Sequence, residues 1–259
     1  MGRGRKGIER LGQGATAAIE GLGRFATLFV EMILAGLRPP YRLHQLFQAM
    51  DFVGFGSLFI VMLTGFFTGA VFAYQSAYAF RLFNAEALVG ATVALAITRE
   101  LGPVLTGLMV AGRVSSAMAT VLGTMRVTEQ IDAMKTMAVN PVQYLIVPRV
   151  LATFLLLPIL CLLFDFIGIL GAYVVGVGLL GIDFGAFDSR VRDLVEVADI
   201  VNGLVKAAVF GVLLSYIGCY KGFYAQGGAK GVGEATTSAV VTSSIAILIV
   251  DYFLTVLMW

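Results

Sequence analysis

Charged residues are scarce in this sequence of 259 residues: Asp, Glu, Lys and Arg make up 13% of it, whereas hydrophobic residues make up 59%. A soluble domain carries about a quarter charged residues, so most of this chain must be solvated by lipid or by its own helices. The net charge of +2 is small, and no basic face is interleaved with aromatic residues. The composition therefore predicts an integral membrane protein and argues against nucleic acid as a partner.

Histidine and cysteine are also rare, with His44 the only histidine and Cys161 and Cys219 the only cysteines. One histidine cannot build a transition-metal centre by itself, and it leaves little room for a Ser or Cys catalytic triad. Both cysteines lie in apolar runs, where a thiol is most simply a small buried hydrophobic group. We therefore expect no metal site and no disulfide.

A phosphate-binding motif for ATP is missing as well. The Walker A motif requires a Gly-Lys pair, and the chain contains no Gly-Lys dipeptide. The glycines over 227–233 follow no strand and indicate a flexible turn. We therefore expect neither a cofactor in this chain nor ATP hydrolysis by that route, and we predict that it is not an enzyme.

Long apolar runs are what the sequence does contain. Five of them, over about 52–74, 87–111, 150–178, 200–220 and 239–259, provide the roughly 20 residues that a bilayer core requires. The fold class predicted is an all-α integral membrane protein, with residues 1–50 as an N-terminal interfacial region and 51–259 as a five-span domain. An acidic connector is expected over about 179–199.

The N-terminal region shows helical periodicity. Apolar residues recur at steps of three or four, and polar residues occupy the opposite face. The apolar set is Leu11, Ala15, Ala18, Leu22, Phe25, Phe29 and Ile33, and the polar set is Glu20, Arg24, Thr27 and Glu31. This pattern predicts an amphipathic helix that lies in the membrane interface.

Orientation follows from the positive-inside rule. If the N-terminus is cytoplasmic, thirteen Lys and Arg residues fall on that side, three fall on the other side, and Arg99 and Lys206 lie within spans. The sequence therefore predicts a cytoplasmic N-terminus and a C-terminus on the opposite face.

The polar stretch over 123–149 separates the second and third spans on the predicted cytoplasmic side. Thr128 can cap a helix N-terminus, and Asn140-Pro141 is a stop signal, so a short amphipathic helix is expected within about 124–140. Its periodicity fits a solvated connector and a docking element equally well.

Ionisable residues inside the spans form a second group of interest. Arg99 and Lys206 are the bases, and the acids are Glu100, Asp165 and Asp251. Because isolated charges are costly in a membrane, we expect them to pair across the spans. Such a network either fixes helix register or acts as a charge relay or hinge during transport.

Three motifs follow one another in the middle of the chain: Arg-Glu-Leu-Gly-Pro from Arg99, Met-Arg-Val-Thr-Glu-Gln-Ile from Met125, and Met-Ala-Val-Asn-Pro from Met137. In this order and spacing they resemble the signature region of the MlaE permease family of ABC transporters. The similarity extends more loosely over nearly the whole chain. Asp165 lies outside the family motifs.

The resemblance implies a homodimeric inner-membrane permease that moves phospholipids between the inner and outer membranes and maintains outer-membrane lipid asymmetry. Its implied partners are a cytoplasmic ABC ATPase that uses ATP and Mg²⁺, a STAS-type accessory protein and a periplasmic hexamer of MCE-domain proteins. The residues expected to contact the ATPase are Met125, Arg126, Glu129, Asp132, Ala133 and Met134. Those expected to line the lipid cavity are Phe72, Gln75, Ala79, Phe80 and Phe83.

Two other functions remain open at this point. A proton- or ion-coupled secondary transporter would use Arg99, Glu100, Lys206 and Asp251 as its pathway, although the chain lacks the internal repeat that many such carriers show. A membrane anchor for an MCE protein would need only the spans.

Overall fold

The structure is a computed structural model that describes residues 2–40 and 42–258, with side chains from residue 19 onward in those ranges. Among these residues the regular secondary structure is entirely helical, without strands. In chain order the helices are α1 (Gly2–Gly36), α2 (Leu43–Arg81), α3 (Glu86–Val127), α4 (Gln130–Thr136), α5 (Val142–Leu179), α6 (Phe184–Leu194), α7 (Val197–Phe223) and α8 (Gly228–Met258).

Five of the described helices, α2, α3, α5, α7 and α8, are long and apolar enough to cross a membrane, which confirms the predicted number of spans. They are longer than the apolar runs: α2 has 39 residues and α3 has 42. At 1.5 Å per residue, α2 is about 58 Å long and must extend beyond a hydrocarbon core of about 30 Å. Hydropathy located the lipid-facing middle of each helix but not its polar ends.

Two of these helices are not α-helical throughout. In α3, π-helical turns occur at Ile97–Leu101 and Ala111–Ser115. In α5 they occur at both ends, Val142–Ile146 and Val174–Leu179. The first π turn of α3 contains Arg99 and Glu100, so the charged pair lies where the helical hydrogen bonding is locally altered.

Helices α2 and α5 pack directly against each other through glycines. A Cβ atom at Gly69 would lie 1.8 Å from the Gly168 carbonyl oxygen, and one at Gly171 would lie 2.2 Å from the Phe66 carbonyl oxygen. No larger side chain fits between backbones at this distance. Gly65, where a Cβ atom would lie 3.0 Å from the Phe164 carbonyl oxygen, and Gly69 therefore allow the two spans to be in close contact.

Helix α1 is attached to α7 through its buried face. Leu28, Met32 and Ala35 are buried, whereas Leu22 and Ile33 from the predicted apolar stripe are 70% and 46% exposed. The Tyr216 and Tyr220 hydroxyls donate hydrogen bonds to the Phe25 and Gly21 carbonyl oxygens, respectively. Of the remaining predicted stripe members, Phe29 is 36% exposed, and Leu11, Ala15 and Ala18 lie outside the described side chains.

The two residues predicted to mark the ends of α4, Thr128 and Asn140, belong to the neighbouring helices instead. Thr128 does not cap α4: it ends α3, and its hydroxyl donates to the Thr124 carbonyl oxygen. Glu129, with a φ of 59°, turns the chain into α4. Asn140 begins α5 rather than ending α4, because its side-chain oxygen accepts from the backbone N–H groups of Val142 and Gln143. A capping residue marks a helix end, but the sequence alone does not say which helix it caps.

Candidate functional site

A buried cation joins three spans at the centre of the site. The Lys206 ammonium group on α7 is 0% exposed, and it donates to Glu100 Oε1 on α3 at 2.9 Å and to Thr255 Oγ1 on α8 at 2.7 Å. Asp251 Oδ1 on α8 forms an ion pair with it at 3.3 Å. We call Lys206, Glu100, Asp251 and Thr255 the lysine cluster.

Lys206 also donates to a backbone carbonyl oxygen that a proline leaves without its helical hydrogen bond. Pro103 has no N–H group, so the carbonyl oxygen of Arg99 lacks its usual helical donor. The Lys206 ammonium donates to that oxygen at 3.2 Å. Its three protons can thus be used by Arg99 O, Glu100 and Thr255, which is the full donor capacity of an ammonium group.

Arg99 itself pairs with a residue outside the predicted network. Its guanidinium lies 2.9 Å from Asp199 Oδ1, and Asp199 is 1% exposed. The sequence placed Asp199 in the acidic connector, but it lies in the first turn of α7 and forms a capping box with Glu196. The Glu-x-x-Asp spacing is a capping-box pattern that could have located this helix start.

Asp165 lies apart from the lysine cluster. Its side chain packs over Gly102, where a Cβ atom would come within 1.9 Å of Oδ1, and Cys161 Sγ lies 3.8 Å from Oδ2. Among the described residues it forms no ion pair. The structure therefore brings Glu100, Lys206 and Asp251 together, pairs Arg99 separately, and leaves Asp165 outside both groups.

The residues predicted to line a lipid cavity fall into two sets. Phe72 and Gln75 line an open groove of about 560 Å³ that also includes Thr64, Phe67 and Leu101. Ala79, Phe80 and Phe83 lie beyond this groove toward the end of α2, and Phe83 is 77% exposed. A separate hollow of about 280 Å³ is lined by Leu95, Ala96, Arg99, Glu100 and Thr255.

The residues predicted to contact an ATPase lie in α4 and in the segment just before it. Glu129 and Ala133 are exposed, and Arg126 and Asp132 are partly exposed. Met125 and Met134 instead pack against the buried core. Met137 is 70% exposed beside them and was not predicted, because nothing in the spacing distinguishes it from the two packed methionines.

Two contacts fix α4 on the rest of the protein. The first is the side chain of Ile131, which belongs to α4 and is fully buried. Arg126 on α3 lies 2.7 Å from Asp132 Oδ1, and this hydrogen bond lowers the pKa of the Asp132 carboxyl below its ordinary value. The tie is therefore present when Asp132 is ionised and is lost as pH falls through the lowered pKa.

A bundle of five helices that can span a membrane, tied by buried ion pairs and bearing an open apolar groove, is the architecture of a multi-pass membrane protein. The family model for the MlaE permease matches residues 46–257, and the chain belongs to that family of ABC transporter permeases.

Similar proteins occur in distant organisms. A probable ABC transporter permease protein of Rickettsia conorii is 47% identical over 236 residues, which cover 91% of each chain. A protein with the same description in a Synechocystis strain is 45% identical over 212 residues, covering 82% of this chain and 81% of the relative. The intermembrane phospholipid transport system permease protein MlaE of Haemophilus influenzae is 36% identical over 255 residues, covering 97% of each.

Proposed function

We propose that this protein is the permease subunit of an ABC transporter that moves phospholipids between the inner and outer membranes and maintains outer-membrane lipid asymmetry. The observation that carries the proposal is the similarity, over 97% of both chains, to the Haemophilus influenzae phospholipid transport permease. The groove that includes Phe72 and Gln75 supports it, because an apolar surface with few polar groups suits acyl chains.

Helix α4 is the coupling helix in this proposal. A cytoplasmic ATPase, which uses ATP and Mg²⁺, docks on its exposed residues Glu129 and Ala133. Ile131 and the Arg126–Asp132 pair connect α4 to the body of the permease, so a displacement of α4 is passed to α3 and α5. Met125 and Met134 serve this connection rather than the docking surface.

Two copies of the chain form the transport unit in the inner membrane, with the N-terminus cytoplasmic and the C-terminus periplasmic. The groove on α2 faces the second copy and encloses lipid between them. A STAS-type protein joins the ATPase on the cytoplasmic side, and an MCE-domain hexamer continues the lipid path on the periplasmic side. Closure of the ATPase shifts the equilibrium between two arrangements of the spans and narrows the groove.

The lysine cluster distinguishes this function from an ion-coupled carrier. A relay residue must exchange its proton with water, whereas the Lys206 ammonium is 0% exposed and donates to protein acceptors on two other helices, α3 and α8. That arrangement favours a structural tie. A simple anchor for an MCE protein would need neither the groove nor an exposed α4.

The test is purification followed by reconstitution. We expect the chain to co-purify with an ATPase and to transfer phospholipid only when ATP is hydrolysed. Ala133→Trp should abolish ATPase association by blocking the exposed face of α4, and Ser189→Trp on exposed α6 is the matched control, which should keep it. Lipid transfer driven by a proton gradient without the ATPase would establish the carrier instead. Association without any lipid transfer would leave only the anchor.

A further inference from the structure

A hollow of about 500 Å³ opens between α2, α3 and α5, at the end of the bundle that carries α4. It is separate from the groove at Phe72 and from the lysine cluster. We call it the α2–α5 hollow. Its lining combines polar residues, among them His44, Gln48 and Arg149, with apolar residues, among them Phe52 and Val121.

The polar part of the α2–α5 hollow suits an anion. No described residue that lines it is acidic. The Arg149 guanidinium forms no ion pair with a described carboxylate, and its Nη1 donates to the Leu145 carbonyl oxygen at 2.5 Å. This contact turns the side chain back by one helical turn toward the α4 end, as a basic residue does when it reaches from a span to the membrane surface.

A second cation contacts the wall of the hollow without lining it. The Arg42 guanidinium lies 5.2 Å from the centre of the Tyr144 ring, and Tyr144 lines the hollow. The Gln48 amide and the His44 ring, 3.0 Å apart, add polar groups beside it. Guanidinium and amide donors without a competing carboxylate are the groups that recognise a phosphate.

The apolar part of the hollow suits an acyl chain. Phe52 and Val121 are 40% and 46% exposed, and Phe52 lies one helical turn further along α2 than Gln48. Further along α2, Phe55 and Phe59 are 80% and 76% exposed, which fits a surface in contact with lipid. The opening therefore adjoins the lipid-facing surface of the protein. A phospholipid can use both the polar and the apolar part of the hollow, whereas a soluble anion would contact only the polar residues.

We infer that the α2–α5 hollow binds one phospholipid of the leaflet at the α4 end, with Arg149 at the phosphate and Phe52 and Val121 along an acyl chain. This site is distinct from the transport groove, and binding there requires neither ATP nor a partner protein. It is tested by equilibrium binding, so the outcome is independent of whether the proposed transport function holds.

The experiment measures binding of phosphatidylglycerol to the delipidated full chain in detergent, with native mass spectrometry counting bound lipids. Arg149→Gln should weaken the binding of one lipid about tenfold, which corresponds to ~1.4 kcal/mol. Lys230→Gln is the matched control, because it removes the same charge at the same end of the molecule from a side chain that is 88% exposed and outside the hollow. Equal binding by the two variants would overturn the inference.

Two further measurements complete the experiment. One distinguishes a lipid from free phosphate, and the other tests the site if the Arg149→Gln variant does not fold. Val121→Trp fills the apolar part and keeps Arg149, so it should weaken lipid binding while melting at the wild-type temperature. If Arg149→Gln does not fold, this variant decides: wild-type lipid affinity for it would contradict the site. Inorganic phosphate should not displace the lipid at equal concentration. Displacement would assign the hollow to a soluble anion and overturn the lipid assignment.

Discussion

Lys206 shows why a fully buried ammonium group can be part of a stable membrane protein. Removing such a charge from water costs several kcal/mol, and the cost is offset only when its protons and charge are all matched. Here the acceptors come from the Arg99 backbone, Glu100 and Thr255, with Asp251 beside them. The residue therefore ties α3 and α8 to α7 at the point where Pro103 interrupts α3.

Replacing Lys206 with Met should strongly destabilise the protein. The change leaves Glu100 and Asp251 without their cation and the Arg99 carbonyl oxygen without its donor, and breaking a buried pair costs about 3–5 kcal/mol. We expect a clear fall in melting temperature in detergent and loss of assembly. Asp251→Asn, which keeps a polar group, should have a smaller effect in the same direction.

Lys230→Met is the control for this measurement, because the Lys230 side chain is 88% exposed and its contact with Glu234 is 3.9 Å long. It should melt like the wild type. A Lys206→Met protein with the wild-type melting temperature and intact assembly would show that the lysine cluster does not stabilise the protein.

The members of the charge network could be predicted from sequence, but their pairing could not. The cost of a charge in lipid marks Arg99, Glu100, Lys206 and Asp251 by composition alone. Which carboxylate meets which base depends on how the spans are rotated and offset. Asp199, assigned by sequence to a loop, is the partner of Arg99, and Thr255 was not predicted because a hydroxyl group in a span carries no comparable signal.

The contact between α2 and α5 can be tested with a single methyl group. Gly69→Ala would place a Cβ atom 1.8 Å from the Gly168 carbonyl oxygen, so the two backbones must separate. We expect a loss of about 1–3 kcal/mol, typical of overpacking, measured as a lower melting temperature. Gly112→Ala in α3 meets nothing within 4 Å, so it should be neutral or slightly stabilising. Equal melting temperatures for the two variants would contradict the close contact.

The number of membrane-spanning helices was predicted correctly from the sequence, but the residues at which helices begin and end were not. The five spans follow from apolar length, which is a property of each segment alone. The ends depend on local backbone geometry: Glu129 in the left-handed region starts α4, and Asn140 caps α5. Residues of the same type occur at many turns, so the sequence did not decide which helix Thr128 or Asn140 belongs to.

The molecule as a whole has two different ends. The end with α4 receives the start of α2, the end of α3 and the end of α7, and it gathers most of the basic residues outside the spans. The opposite end carries α6 and the acidic connector. Some basic residues that the charge count assigned to connectors lie within the long helices instead. Arg113 is one of them: it lies within α3, and its Nη1 donates to Phe52 O at 2.9 Å and Ser57 Oγ at 3.0 Å. The excess of basic residues at the α4 end remains.

That asymmetry predicts which end faces the cytoplasm, and the chain is well suited to a labelling test. Cys161 and Cys219 are both buried, so a membrane-impermeant maleimide should not label the unmodified protein. Ser189→Cys on exposed α6 should react in intact cells, once the reagent has passed the outer membrane. Lys230→Cys at the α4 end should react only after the inner membrane is opened, because the positive-inside rule predicts that this end faces the cytoplasm. The reverse labelling pattern would invert the orientation and remove α4 from the reach of any cytoplasmic ATPase.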